Sequence, residues 1–274
     1  MFYDFSWLTV LWASVAAILV TLAAINLAIA LQQHGSPARG HVLFAAIAVA
    51  AAASGGFELL LSHARTVEVS ATLLRWVHLP MSGIILAIPW FVLLMFHAGR
   101  RWLAVASKSV WIVALGINAF SPYSRLYERI TGVERVSGVG GVEFTWVTGT
   151  AHPLRWVGQL AVLLTLAFVV DAAVSLWKRG ETRRSAVVGG CLATSVAVGL
   201  FHSALVTAGV IRTPYFVSVA FLFIVGGMAY ELVSDAVRVG KLEQKVEVQE
   251  AEVAHLSRQT MLREMSGGVA HELS

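Results

Sequence analysis

Seven stretches of about twenty apolar residues dominate this chain, and each is long enough to cross a hydrocarbon core of about 30 Å. They cover residues 7–31, 41–61, 74–97, 102–120, 156–177, 185–206 and 215–233. In lipid a backbone must satisfy its own hydrogen bonds, so runs of this length are expected to be helices. Lys108 interrupts the fourth stretch, and its ammonium is expected to snorkel to the nearer interface. Only 13% of the residues are charged, about half the share of a soluble domain. That excludes a soluble enzyme, a disordered chain or a nucleic-acid-binding domain as the main body. The net charge of +4 does not argue for nucleic acid, because the basic residues sit in short clusters between apolar runs. No Lys or Arg precedes Arg39, so the start lacks the basic region of a cleavable signal. The one cysteine, Cys191, has no internal partner for a disulfide.

Loop charges set the expected orientation. Arg39, Arg100, Arg101, Lys178, Arg179, Arg183 and Arg184 fall in short loops on one side. Short loops on the other side carry Arg65 and Arg212. The long loop 121–155 adds Arg125, Arg129, Arg135 and Arg155, of which Arg155 lies close enough to a span to weigh against the bias. The balance places the N-terminus outside and the C-terminus in the cytoplasm, as an odd number of spans requires. Within the long loop, Ser137-Gly138-Val139-Gly140-Gly141 reads as a turn, and Val142 to Val147 alternates apolar and polar residues. A small outer β-hairpin around 133–149 is one reading, and a flexible loop is the other.

Composition changes after the seventh span. From Arg238 to Arg263 the chain is charged and lacks proline, with apolar residues at Val239, Leu242, Val246, Val253 and Leu256. Gln249 fills the one missing position of this heptad stripe, and Thr260 follows as a weaker member. The pattern fits a two-stranded coiled coil. The alternative is an amphipathic helix on the membrane, but Glu243, Glu247, Glu250 and Glu252 would be repelled by anionic lipid. The expected fold is therefore an all-α membrane protein with a seven-helix domain at 1–235, a juxtamembrane cytoplasmic coiled coil at 236–262 and a last segment at 263–274.

That last segment ends Ala270-His271-Glu272-Leu273-Ser274, which resembles the start of the H-box of sensor histidine kinases. The upstream Met261-Leu262-Arg263-Glu264-Met265 is similar to that family's dimerisation helix. The resemblance implies that His271 is the phosphoacceptor and that Glu272 orients the imidazole and takes its proton. The chemistry suits those residue types: a neutral imidazole nitrogen is a competent nucleophile near pH 7, and an adjacent carboxylate can hold the tautomer and act as base. A His-Glu-Leu triplet also occurs on ordinary solvated helices; its position after a membrane bundle and a coiled coil carries the resemblance. In the membrane part, Leu74-Arg75-Trp76-Val77-His78-Leu79-Pro80, Arg100-Arg101-Trp102-Leu103, Asp171, Leu176-Trp177-Lys178-Arg179-Gly180, Gly189-Gly190, Pro214-Tyr215 and Met228-Ala229-Tyr230-Glu231-Leu232 resemble a seven-helix input region found in bacterial sensor kinases.

The 274 residues hold neither the family's second dimerisation helix nor an ATP-binding domain. The chain is therefore read as the sensor piece of a longer kinase. ATP and Mg²⁺ are expected for the full-length protein and no cofactor for this piece. Polar groups inside spans are functional-site candidates by default. Glu58, Arg75, His78 and His202 all fall toward the outer side, and Trp76, Trp146 and Trp156 offer aromatic walls for a pocket. The competing readings are that Trp76 and Trp156 anchor the chain at the interface and that Glu58 pairs structurally with Arg75. His78 and His202 on separate spans also have the makings of a haem or metal pair, but their spacing gives no support and no metal is assigned.

These readings converge on signal input for a two-component system in the inner, cytoplasmic membrane. The expected partners are the lipid bilayer, a second copy in a parallel homodimer, a response regulator and a small-molecule ligand of unknown identity, with no nucleic acid. Two rivals stand beside this reading. One is a seven-helix receptor or adaptor without kinase chemistry. The other is a small transporter, which the absence of internal repeats and of paired broken spans disfavours.

Overall fold

The computed structural model describes residues 6–33 and 35–272. Side chains are described as far as residue 253, except at 36, 37, 139, 239, 242, 243, 247 and 251. The chain divides into two units, Met1–Ala229 and Tyr230–Ser274. In order the elements are α1 (Trp7–Gln32), α2 (Ser36–His63), α3 (Val67–Trp76), α4 (His78–Met95), α5 (Arg101–Phe120), β1 (Tyr127–Ser137), β2 (Glu143–Ala151), α6 (Arg155–Lys178), α7 (Thr182–Ala186), a π-helical segment (Val187–Ala193), α8 (Thr194–Thr207) and α9 (Val217–Glu272). Grouped by length and apolarity they give seven membrane-spanning helices, with α3 and α4 forming the third span and α7 to α8 the sixth.

The first unit is built inside-out relative to a soluble protein. Large aliphatic side chains such as Ile18, Val20, Ile25, Val105, Ile112 and Val113 face outward, where lipid solvates them as well as a core would. Small residues take the contacts between helices. Ala45, Ala48, Ala51 and Ala52 are buried along α2, and a side chain on Gly83 of α4 would meet the Ala50 Cβ at 3.3 Å. Helices α5 and α6 are joined by polar contacts: Ser107 Oγ lies 2.5 Å from Thr165 Oγ1 and 3.2 Å from the Ala161 carbonyl. Asn26 of α1 and His41 of α2 meet at 2.8 Å. Trp76 and Trp156 are exposed near one end of the bundle, and Trp102 and Trp177 near the other, as aromatic belts require. Lys108 does more than snorkel: its ammonium sits 3.6 Å from the centre of the Trp90 ring, so a cation–π contact compensates a charge placed within a span.

Two spans are irregular. The third breaks at Val77, between α3 and α4. Pro80 lacks the N–H that would bond the Trp76 carbonyl, so the ladder is interrupted one turn upstream of the proline. In the sixth span a full π turn, Val187–Ala193, is inserted between α7 and α8. It carries Gly189, Gly190 and Cys191, and here the first turns of α9 come close. A Cβ on Gly227 would lie 2.6 Å from the Cys191 Cβ. Backbone-level packing of this kind tolerates no added side chain. Gly227→Val is expected to destabilise the protein by about 2–3 kcal/mol through overpacking, measured as unfolding in mixed micelles; a neutral result would show that the two helices separate freely here.

The sheet is one antiparallel hairpin, β1 with β2, closed by a 3₁₀ turn at Val139–Gly141. It begins at Tyr127, six residues before the start expected near 133. Register irregularities between Tyr127 and Arg129 and between Ile130 and Gly132 hide the first part of β1 from a period-two reading. Its buried face sets Tyr127, Ile130 and Val147 against Leu61 of α2 and Leu74 of α3. Thr145 Oγ1 donates to the Ala64 carbonyl at 2.5 Å, and Arg135 donates to the Ser62 carbonyl at 3.0 Å. These bonds cap the last carbonyls of α2, which a helix end otherwise leaves unpaired.

The second unit is the remainder of α9. Arg238 and Asp235 pair across one turn at 3.9 Å. Of the heptad stripe, Val246 and Val253 are exposed.

Candidate functional site

Glu58 lies on the last turns of α2 and is 3% exposed. Its Oε1 accepts from the backbone N–H of Val217 at 2.8 Å and of Ser218 at 3.2 Å. Its Oε2 accepts from Ser218 Oγ at 2.6 Å, from Trp12 Nε1 at 3.1 Å and from the Ser218 N–H at 3.3 Å. Every contact is with a donor, the set a carboxylate accepts. The orphan N–H groups at the start of α9 thus receive their cap from another helix. Small residues permit the approach: a Cβ on Gly55 would lie 3.3 Å from the Ser218 Cβ. Glu58 therefore ties α1, α2 and α9 into one knot.

Arg125 is the second centre. It follows α5 and is 7% exposed. Its backbone N–H is held by Asn118 Oδ1 at 3.0 Å. The guanidinium packs 5.0 Å from the centre of the Trp111 ring. It occupies space left by Gly158, where any Cβ would overlap it. Its Nε and Nη1, and the indole Nε1 of Trp111, are buried without a hydrogen-bond partner among the described residues. Burial pushes the Arg125 guanidinium down to about 10, so it remains a cation at neutral pH. The adjacent phenols supply no negative charge. Burial raises Tyr215, and burial followed by the neighbouring Tyr215 raises Tyr127, so both are neutral at pH 7.

His78 shares a cavity of about 40 Å³ with Glu58, Arg125 and Tyr215. Its Nδ1 lies 2.7 Å from the Leu74 carbonyl. A carbonyl can only accept, so Nδ1 carries a proton. Ser82 Oγ in turn donates to the His78 carbonyl. A second cavity of about 60 Å³ shares Arg125, Met81 and Ser203 with the first. A third, of about 20 Å³, shares Glu58, Leu61 and Tyr215 and is lined by Tyr127, Thr145 and Trp146 of the hairpin. Adjacent cavities with common lining residues thus lie between the hairpin and the Trp111–Arg125 centre.

Of the residues singled out from sequence, Glu58 and His78 come together. His202 does not join them. Its Nε2 meets Thr213 Oγ1 at 3.1 Å, and it lines a cleft with Cys191 and Phe216 that borders the Arg125 cavity at Ser195 and Gly199. Arg75 donates to the Ala119 carbonyl at 2.5 Å, tying α3 to the end of α5; it does not pair with Glu58. Trp76 is exposed, in the position of an interface anchor, as is Trp156, over whose ring Arg155 lies. Trp146 lines the hairpin cavity. Asp171 pairs with Arg100 at 3.3 Å and accepts from its backbone N–H at 2.9 Å, a packing role. Arg125, which the sequence offered only as loop charge, is the residue missed; an arginine close to a span that contains Gly158 and a tryptophan at 111 was its faint signal.

Among the described residues no three His, Cys, Asp or Glu side chains gather into a metal site. The clustered glycines at 138–141 lie in the hairpin turn. His271 and Glu272 lie at the end of α9, and their side chains, with all of Leu273 and Ser274, fall outside the described residues. Comparison with models of known protein families finds no match, and comparison with curated proteins finds none either.

Proposed function

We propose that the chain is the signal-input part of a bacterial-type sensor histidine kinase, working in the inner membrane as a parallel homodimer. The observation that supports this best is the order along α9: a membrane-spanning start, a heptad stripe, then His271-Glu272 on the same helical segment, Val217–Glu272. A ligand or membrane state that favours one packing of the bundle would bias that helix, and the bias would reach His271 as a small shift or rotation. The cap on α9 by Glu58 is where a change among α1, α2 and α9 would be felt first. His271 would accept a phosphoryl group at an imidazole nitrogen and pass it to a response-regulator aspartate, with Glu272 orienting the ring. ATP and Mg²⁺ would be held by a separate domain of the full-length kinase.

The test uses a full-length, ATP-competent form in native membranes. Acid-labile phosphate is expected on the wild type and is expected to vanish in His271→Gln. Phosphate that persists in the variant would overturn the assignment. A polypeptide with no ATP-binding domain would point instead to the receptor or adaptor reading. Solute uptake surviving removal of residues 236–274 would point to a transporter.

A further inference from the structure

We propose that the cavity beside Arg125 and Trp111 binds a small monocarboxylate with a short apolar tail. The site stands on its own geometry; only its use as the input signal rests on the sensor reading above.

Three donors of residues that line one cavity are buried there without a hydrogen-bond partner: Nε and Nη1 of Arg125 and Nε1 of Trp111. A buried donor left unpaired is costly, and a buried cation more so. Stacking 5.0 Å from the centre of the Trp111 ring offsets part of the cost of the cation, but it supplies no hydrogen-bond acceptor to Nε or Nη1. Glu58 lines the adjoining cavity but is taken up by Trp12, Val217 and Ser218, and the two nearby phenols are neutral. What the centre lacks is an anion with oxygen acceptors, and arginine is the residue that matches a carboxylate best.

The remaining walls state the rest of the ligand. Gln159, Ser195 and Ser203 add polar groups to the larger cavity beside Arg125, but Ile85, Val162, Val196, Leu200 and Phe221 make most of its wall apolar, so an inorganic oxyanion would leave apolar surface uncovered. Its volume of about 60 Å³ gives room for a few water molecules or a chain of about two to four carbons. Gly158 shows that the guanidinium is given its place by the packing, since any side chain there would evict it.

The test is equilibrium dialysis of radiolabelled butanoate against the whole chain in lipid nanodiscs, with nitrate as competitor in a second arm. The expected result is saturable binding at one butanoate per chain, which nitrate displaces poorly. Arg125→Gln is expected to weaken it by about thirty-fold or more, as removal of one partner of a buried charge contact does. Leu200→Trp fills the tail space and is expected to abolish binding with Arg125 intact; it decides the matter if the arginine variant fails to fold, as judged by helical circular dichroism. No saturable butanoate binding to the wild type would overturn the proposal. So would effective displacement by nitrate, which would identify an inorganic oxyanion site, or binding unchanged in both variants. Because dialysis reads no phosphate, its failure leaves the kinase reading standing, and loss of the kinase reading leaves the binding result standing.

Discussion

Glu58→Ala is expected to destabilise the membrane unit by about 3–5 kcal/mol, the largest effect of any single truncation in it. The substitution removes an acceptor that serves the backbone of Val217 and Ser218, the Ser218 hydroxyl and the Trp12 indole. Each donor left buried and unpaired costs about 1–3 kcal/mol. Water cannot enter freely to compensate, because Trp12 is 1% exposed and Ser218 is fully buried. Glu58→Gln keeps one acceptor oxygen but turns an amide NH₂ toward donors, so an intermediate loss of about 2 kcal/mol is expected. The measurement is reversible unfolding in mixed micelles, followed by the change in helical content. A loss below about 1 kcal/mol for the alanine variant would mean that the start of α9 finds its cap elsewhere.

Gly99→Ala is the second large effect, at about 3–4 kcal/mol. Gly99 sits in the turn between the third and fourth spans with φ of +90°, a region costly for any residue with a Cβ. An added methyl would also lie 2.6 Å from the Phe168 ring and 3.2 Å from Ala172. Phe168 is fully buried, so its ring has nowhere to swing. Gly180 is the matched control. Its φ is +80°, yet nothing lies within 4 Å of its absent Cβ. Gly180→Ala is expected to cost only the backbone strain, about 1–2 kcal/mol. The difference between the two variants isolates the packing penalty, and equal losses would show that Phe168 yields.

These two sites mark the boundary of what the sequence makes legible. The spans are readable because lipid imposes one requirement, a helix of sufficient apolar length, and residues 7–31 or 156–177 meet it without reference to any partner. The break in the third span is readable as well, since Pro80 removes a defined hydrogen bond. Tertiary pairing is not readable in this way. Glu58 and Arg75 look like mutual partners by sign and depth, yet Glu58 caps a helix that starts 159 residues later and Arg75 finds a carbonyl on α5. Both solutions satisfy the same rule about buried polar groups, and only the packing chooses between them. Arg125 illustrates the same limit. Loop position argues for a solvated charge, whereas the absence of a side chain at Gly158 draws it inside. The start of β1 is hidden for a local reason, because two irregularities of register erase the alternation that marks a strand.

The π turn in the sixth span has a consequence for phasing. A π turn holds one residue more than an α turn, so Val187–Ala193 acts as a one-residue insertion in an otherwise regular helix. Each α-helical residue turns the axis by about 100°. Ser195, Gly199 and His202, which line the cleft beside Phe216, therefore owe their direction to that extra residue. Deleting a single codon between 187 and 193 would leave the span nearly the same in length and hydropathy to any sequence scan. It would nonetheless swing the whole far half of the span by more than a quarter of a turn, and with it the face that His202 presents to Thr213.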